Sequence, residues 1–129
     1  MSLFTHVVVG TNQIEQAKVF YDAVLKALDI QRLVLDTTSK TNVLMYGRTH
    51  PEFIVTEPIN GEPASYANGG TIGFAATSNG AVDAFHAAAL ANGGSCEGAP
   101  GPRENAGADA RIAYVRDPDG NKLCVFKVG

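Results

Sequence analysis

Asp117-Pro118-Asp119-Gly120-Asn121 is the stretch whose reading decides the fold. It is a turn with a mechanism. Pro118 presets φ, Gly120 tolerates φ > 0, and the Asp and Asn side chains bond nearby backbone groups. Ile112-Ala113-Tyr114-Val115 runs into it and Lys122-Leu123-Cys124-Val125-Phe126 runs out of it, both strand-like. The whole predicts a hairpin that closes the protein.

Working outward, 129 residues make one domain, 1–129. Apolar residues are 45% and charged residues 18%, which suits a globule with a real core. No apolar run reaches the roughly 20 residues of a membrane span, and the N-terminus lacks a secretory pattern. Cys96 and Cys124 do not make a disulfide framework, so a reduced, cytoplasmic protein is expected. The net charge is −3, and no Lys or Arg occurs between Arg48 and Arg103. The basic stripe of a nucleic-acid binder is missing.

Leu3 to Val9 predicts a strand with Phe4, His6 and Val8 on one face and Thr5, Val7 and Val9 on the other. Thr11 or Asn12 then caps a helix over about 13–28, with Ala17, Phe20, Tyr21, Val24, Leu25 and Leu28 as its buried stripe. Three strands follow, at Gln31 to Asp36, Asn42 to Tyr46 and Glu52 to Thr56, with Thr37 to Lys40 as a turn. Residues 58–70 form a Pro- and Gly-rich joining loop.

The pattern then returns. Thr71 to Ala76 is a strand, Ser78 or Asn79 a cap, and Ala81, Val82, Phe85, Ala88 and Ala89 a helix stripe that Asn92-Gly93-Gly94 ends. A shift of 65 residues aligns Val7 with Ile72, Val9 with Phe74, Ala17 with Val82, Phe20 with Phe85, and Leu25 with Leu90, which predicts matching core positions. Residues 95–109 read as a short strand near Ser95 to Gly98 and then a loop, a candidate lid. The expected fold is α+β: two tandem βαβββ modules, about 1–57 and 71–129, whose curved mixed sheets enclose a cavity, with one helix per module on the outer face. His6 and Val8 should then look the same way as Thr71, Gly73 and Ala75, whose small side chains leave space.

With Asp117-Pro118-Asp119-Gly120-Asn121, the repeat, Gly47-Arg48-Thr49-His50-Pro51-Glu52-Phe53 and Val82-Asp83-Ala84-Phe85-His86, the chain resembles the vicinal oxygen chelate superfamily. That superfamily includes glyoxalase I, bleomycin-resistance proteins and extradiol dioxygenases, and the resemblance is to its glyoxalase-like bacterial subgroup. It covers essentially the whole chain. It implies a divalent metal (Zn, Ni, Fe or Mn) held by the first and last strands of each module. His6 matches the first-strand His. The fifth-strand His falls on Thr71, the last-strand Glu falls on Cys124, and the fourth-strand ligand falls on Glu52 or Glu57.

As chemistry, the imidazole of His6 suits a metal or general-base work. Thr71 suits orienting a ligand by hydrogen bonding, and Cys124 suits zinc ligation or nucleophilic attack. Arg111, if it faces the cavity, would select a carboxylate or phosphate. Cys96 is assigned no chemistry, and His50 and His86 read as surface or boundary residues.

The expected function is binding of a small organic molecule in the sheet cavity, with the metal site degraded at Thr71 and Cys124. One alternative is a metal-dependent lyase or dioxygenase using His6 and a rearranged ligand set. Another is a resistance-type protein that sequesters a toxic compound. The resemblance implies a homodimer, and no nucleic-acid or membrane partner is expected.

Overall fold

The computed structural model describes residues 3–34, 42–103 and 109–127. Along these the order is β1 Val7–Gly10, α1 Ile14–Lys26, β2 Gln31–Leu33, β3 Val43–Gly47, β4 Phe53–Thr56, β5 Ile72–Ala76, α2 Asn79–Ala91, β6 Ser95–Gly101, β7 Arg111–Arg116 and β8 Lys122–Lys127. The two βαβββ modules predicted by the repeat are therefore present. Sheet one runs β1-β4-β3-β2 and sheet two β5-β8-β7-β6. In each, the first strand pairs in parallel with the fourth and the rest is antiparallel.

The alternation of each strand sorts the two faces. Val55, Phe53, Leu123, Val125, Ala113 and Val115 are buried under the helices with Phe20, Tyr21, Val24, Val82 and Phe85. The opposite face stays open: Val8 is 49% exposed, and Thr71, Gly73 and Ala75 are exposed too. A ladder of rings joins the halves, from Phe20–Tyr21 at 4.9 Å through Tyr21–Phe53 at 5.1 Å and Phe53–Phe74 at 5.1 Å to Phe74–Phe85 at 5.8 Å. Edge-to-face and tilted pairs at these separations add to area burial.

The closing turn does more than close a hairpin. The buried Asp117 carboxylate accepts from Asp119 N, Asn121 N and Asn121 Nδ2, each at 2.9 Å, and from the Tyr21 hydroxyl at 2.5 Å. Asp119 accepts from Thr11 Oγ1 at 2.5 Å and Asn12 N at 2.8 Å, while Asn121 Nδ2 donates to Gly10 O at 3.0 Å. The turn of module two is thus a clasp on the start of α1. Gly120 sits at φ +92, and a Cβ there would lie 2.6 Å from the Tyr66 ring. Only glycine fits both demands.

Several expectations are corrected. Helix α1 has Gln13 at its N-cap, without a side-chain bond, and the Asn12 side chain is bonded to the Ala64 backbone, accepting from Ala64 N at 2.7 Å and donating to Ala64 O at 3.1 Å. Thr11 instead accepts from Gln13 N at 3.1 Å. Leu90 is 45% exposed although its repeat partner Leu25 is buried, since it falls on the outer side of α2 while its neighbour Ala89 takes the core position. Strand β6 runs on to Gly101, longer than the Ser95–Gly98 segment expected, with register shifts that accommodate its Gly and Pro. The Thr37–Lys40 turn, and the centre of the loop expected after β6, lie outside the described residues. Ser78 caps α2 as expected, accepting from Ala81 N at 3.0 Å, and Gly93 ends that helix at φ +93.

Candidate functional site

A cavity of about 310 Å³ opens between the modules. Its walls come from the residues leading into β1 (Phe4, Thr5, His6), from the end of α1 (Leu25, Ile30), from the β3–β4 connection (Tyr46 to Arg48, Glu52, Phe53) and from β5 (Ile72 to Ala75). Most of that lining is apolar or aromatic, with a few convergent polar groups, which is the usual make-up of a small-molecule site.

His6 faces this cavity. His6 and Glu52 immediately precede the paired Val7 and Phe53, and Val7 N donates to Glu52 O at 2.9 Å. The Thr5 hydroxyl engages His6 Nδ1 at 3.0 Å. That leaves Nε2 as the nitrogen to meet a ligand, since among the described residues no side chain pairs with it. The Glu52 carboxylate accepts from Arg48 N at a long 3.4 Å. The Arg48 guanidinium is turned away, donating to Leu28 O and Asp29 O at 3.1 Å past the end of α1. A cation on the open carbonyls of a helix end is a favourable pairing.

The tyrosines nearby keep their protons. Burial first, then the Asp22 contact, pushes the Tyr46 hydroxyl up, and it donates to Asp22 at 2.8 Å. Burial and the Asp117 carboxylate do the same for Tyr21. Neither phenol is poised to act as a base.

The other candidates lie elsewhere. Thr71 lines a separate groove with Val8, Gly10, Ser65, Asn121 and Lys122. Glu57 lies at the far end of β4 in a third hollow with Asn12, Asn42 and Pro58. Cys124 stands on the open face of sheet two, in the cross-strand row Gly73, Cys124, Tyr114, Gly98. A Cβ on Gly73 would come 3.2 Å from its sulfur. Burial pushes the Cys124 thiol up, with Lys122 only partly opposing, so it is a poor thiolate.

Arg111 does not face the His6 cavity. It is tied to Asp83 of α2, with Nη2 at 2.8 Å and Nε at 2.9 Å from Oδ1. Its place on the strand face shared with Ala113 and Val115 is the helix side, which explains the pairing. Among the described residues, no group of three or more His, Cys, Asp and Glu side chains is placed to hold a metal ion. His6 and Glu52 line one cavity, while Thr71 lines another groove and Cys124 stands on the open face of sheet two.

Sequence reasoning overlooked the apolar walls at Ile30, Tyr46 and Phe74, and overlooked Tyr114. The Tyr114 ring lies under Lys122 Nζ at 5.2 Å and Arg103 at 5.7 Å. The one available signal for Tyr114 was its two-residue offset from Ile112 on the face opposite the helices.

The family model of the Glyoxalase/Bleomycin resistance protein/Dioxygenase superfamily matches residues 3–125. The chain belongs to this superfamily. The glyoxalase superfamily scaffold is also what the solved structures share. A glyoxalase/bleomycin resistance protein from Albidiferax ferrireducens T118 is 46% identical, with TM-score 0.87 over 99% of this chain and 100% of that one. Fosfomycin resistance protein FosX from Mesorhizobium loti is 13% identical, with TM-score 0.67 over 100% and 94%. Lactoylglutathione lyase from Agrobacterium tumefaciens is 18% identical, with TM-score 0.65 over 98% and 94%. The last two show the fold alone. No curated protein matches the chain. No helix among the described residues is long and apolar enough to cross a membrane.

Proposed function

We propose that this glyoxalase-superfamily chain binds a small organic molecule in the cavity between its modules, using His6 Nε2 as the polar contact and the apolar walls for the rest. The observation that carries this reading is the cavity of about 310 Å³ with both His6 and Glu52 in an otherwise mostly apolar lining. Burying an apolar ligand there gains roughly 25 cal/mol per Å² removed from water.

The metal site of the superfamily is degraded in this reading, because Thr71 and Cys124 stand apart from His6. The presence of His6 and Glu52 in one cavity also favours a second reading, a metal-dependent lyase or dioxygenase whose remaining donors come from outside the chain. A second copy is the natural source. Strands β1 and β5 are each unpaired on one side, and the apolar non-helix face at Val8 is open, which fits a homodimer. The two unpaired cysteines fit a cytoplasmic location.

The test is thermal-shift screening of a small-molecule panel with and without a chelator, followed by mass spectrometry of the recovered compound. Ligands that stabilise the protein in chelator and come back unchanged support binding or sequestration. Stabilisation that needs a metal, lost together with the metal in His6→Ala, supports the second reading instead. Sedimentation in the same buffer reads the oligomeric state.

A further inference from the structure

We propose that Cys96 and His86 form a nucleophilic pair at the edge of sheet two, and that Cys96 is where this chain exchanges with small disulfides. The two side chains meet, with His86 Nε2 3.2 Å from Cys96 Sγ. Each is positioned by a rigid element. Phe85 of α2 is fully buried, so the helix holds the next residue, His86, half-buried at the margin of the core. Cys96 pairs with Val115, whose side chain lies on the helix side, so the thiol is turned toward α2. Strand β6 is the outer strand of its sheet, and Cys96 is exposed there.

The charged groups around the pair are accounted for. Asp83, one turn before His86 on α2, is held by Arg111 at 2.8 Å. Glu97, next to Cys96, is held by Arg116 at 2.7 Å. Lys127, opposite Arg111 in the β7–β8 ladder, is a further cation on that face. Neither carboxylate is left to claim the imidazole, so its partner is the thiol.

The chemistry is general-base-assisted thiol–disulfide exchange. Imidazole Nε2 takes the Sγ proton as Sγ attacks one sulfur of the incoming disulfide. A new S–S bond forms at Cys96 and the old one breaks. The departing thiolate carries away the electron pair and takes the proton from the imidazolium. Cys96 is oxidised to a mixed disulfide and half of the reagent is reduced to a thiol. Among the described residues Cys124 has no such partner, and it is half-buried, its thiol held up by burial.

The probe is an aromatic nitrobenzoate disulfide whose departing thiolate is coloured, applied to the native protein and to Cys96→Ser, Cys124→Ser and His86→Gln. One fast equivalent per chain is expected in the native protein and in Cys124→Ser, and none in Cys96→Ser. In His86→Gln it should slow about 10-fold near pH 7, with the gap closing toward about pH 10, where an ordinary thiol is ionised unaided. A fast equivalent that survives in Cys96→Ser, or an unchanged rate in His86→Gln, overturns the proposal. Should His86→Gln lose its fold, the native rate near pH 7 is compared with that of a short peptide carrying Ser95-Cys96-Glu97. A faster native protein supports the pair, and equal rates overturn it.

Discussion

Asp117 shows how much one side chain of the closing turn carries. Its carboxylate satisfies two backbone amides, the Asn121 amide and the buried Tyr21 hydroxyl together. Asp117→Ala leaves that hydroxyl unpartnered, and the expected loss is about 1–3 kcal/mol in urea unfolding. The pH dependence has a definite sign. Burial raises the Asp117 pKa above its ordinary 3.8, outweighing hydrogen bonds that lower it. The folded state therefore holds this proton more tightly than the unfolded chain. The contribution is full below 3.8 and is lost as pH rises through the raised folded value. Relative to Asp117→Asn, the native protein should lose stability as pH rises above 3.8, and an opposite trend would refute this. The sequence showed Asp117 as a turn residue. It could not show the partner, because Tyr21 lies 96 residues away on a helix face already counted as core.

At the scale of elements, the helices and most strands were legible because period and punctuation agreed. Ser78 before the Ala81-Val82-Phe85 stripe is such a case, and its cap is made. Ser78→Ala should cost about 1 kcal/mol, read as a lower thermal midpoint. Thr11 and Asn12 carried the same signal and failed as caps, since the Asn12 side chain is taken by the Ala64 backbone and the Thr11 hydroxyl donates to Asp119. Local propensity cannot foresee a competitor from the other module. Gly120→Ala combines a positive φ with a ring in the way, and about 1–3 kcal/mol of destabilisation is expected. A variant as stable as the native protein would mean that Tyr66 moves aside freely.

For the whole molecule, the repeat disclosed two modules, and the alternation of β1 and β5 disclosed which faces turn from the helices. His6, however, lies just before β1, and its cavity is walled in part by the helix-side Leu25, Phe53 and Phe74 instead of by the open faces alone. What the repeat could not disclose was which candidates share a space, because that depends on how the modules lean on each other. The join runs through Phe53 and Phe74, the helix pair and the clasp of the closing turn. Glu52 and Glu57 fall on opposite faces of the fourth strand in the sequence and both stand as candidates there, and only Glu52 lines the His6 cavity. Phe74→Ala should cost about 3 kcal/mol and weaken any cavity ligand, since it thins both the join and the wall.

The most direct measurement is an amide chemical-shift titration of the isotope-labelled protein with a stabilising ligand, repeated on His6→Ala. Shifts centred on His6, Glu52 and Gly73, with affinity about tenfold weaker in the variant, are the predicted result. Shifts confined to Thr71, Tyr114 and Cys124, with His6→Ala binding as tightly as the native protein, would contradict it.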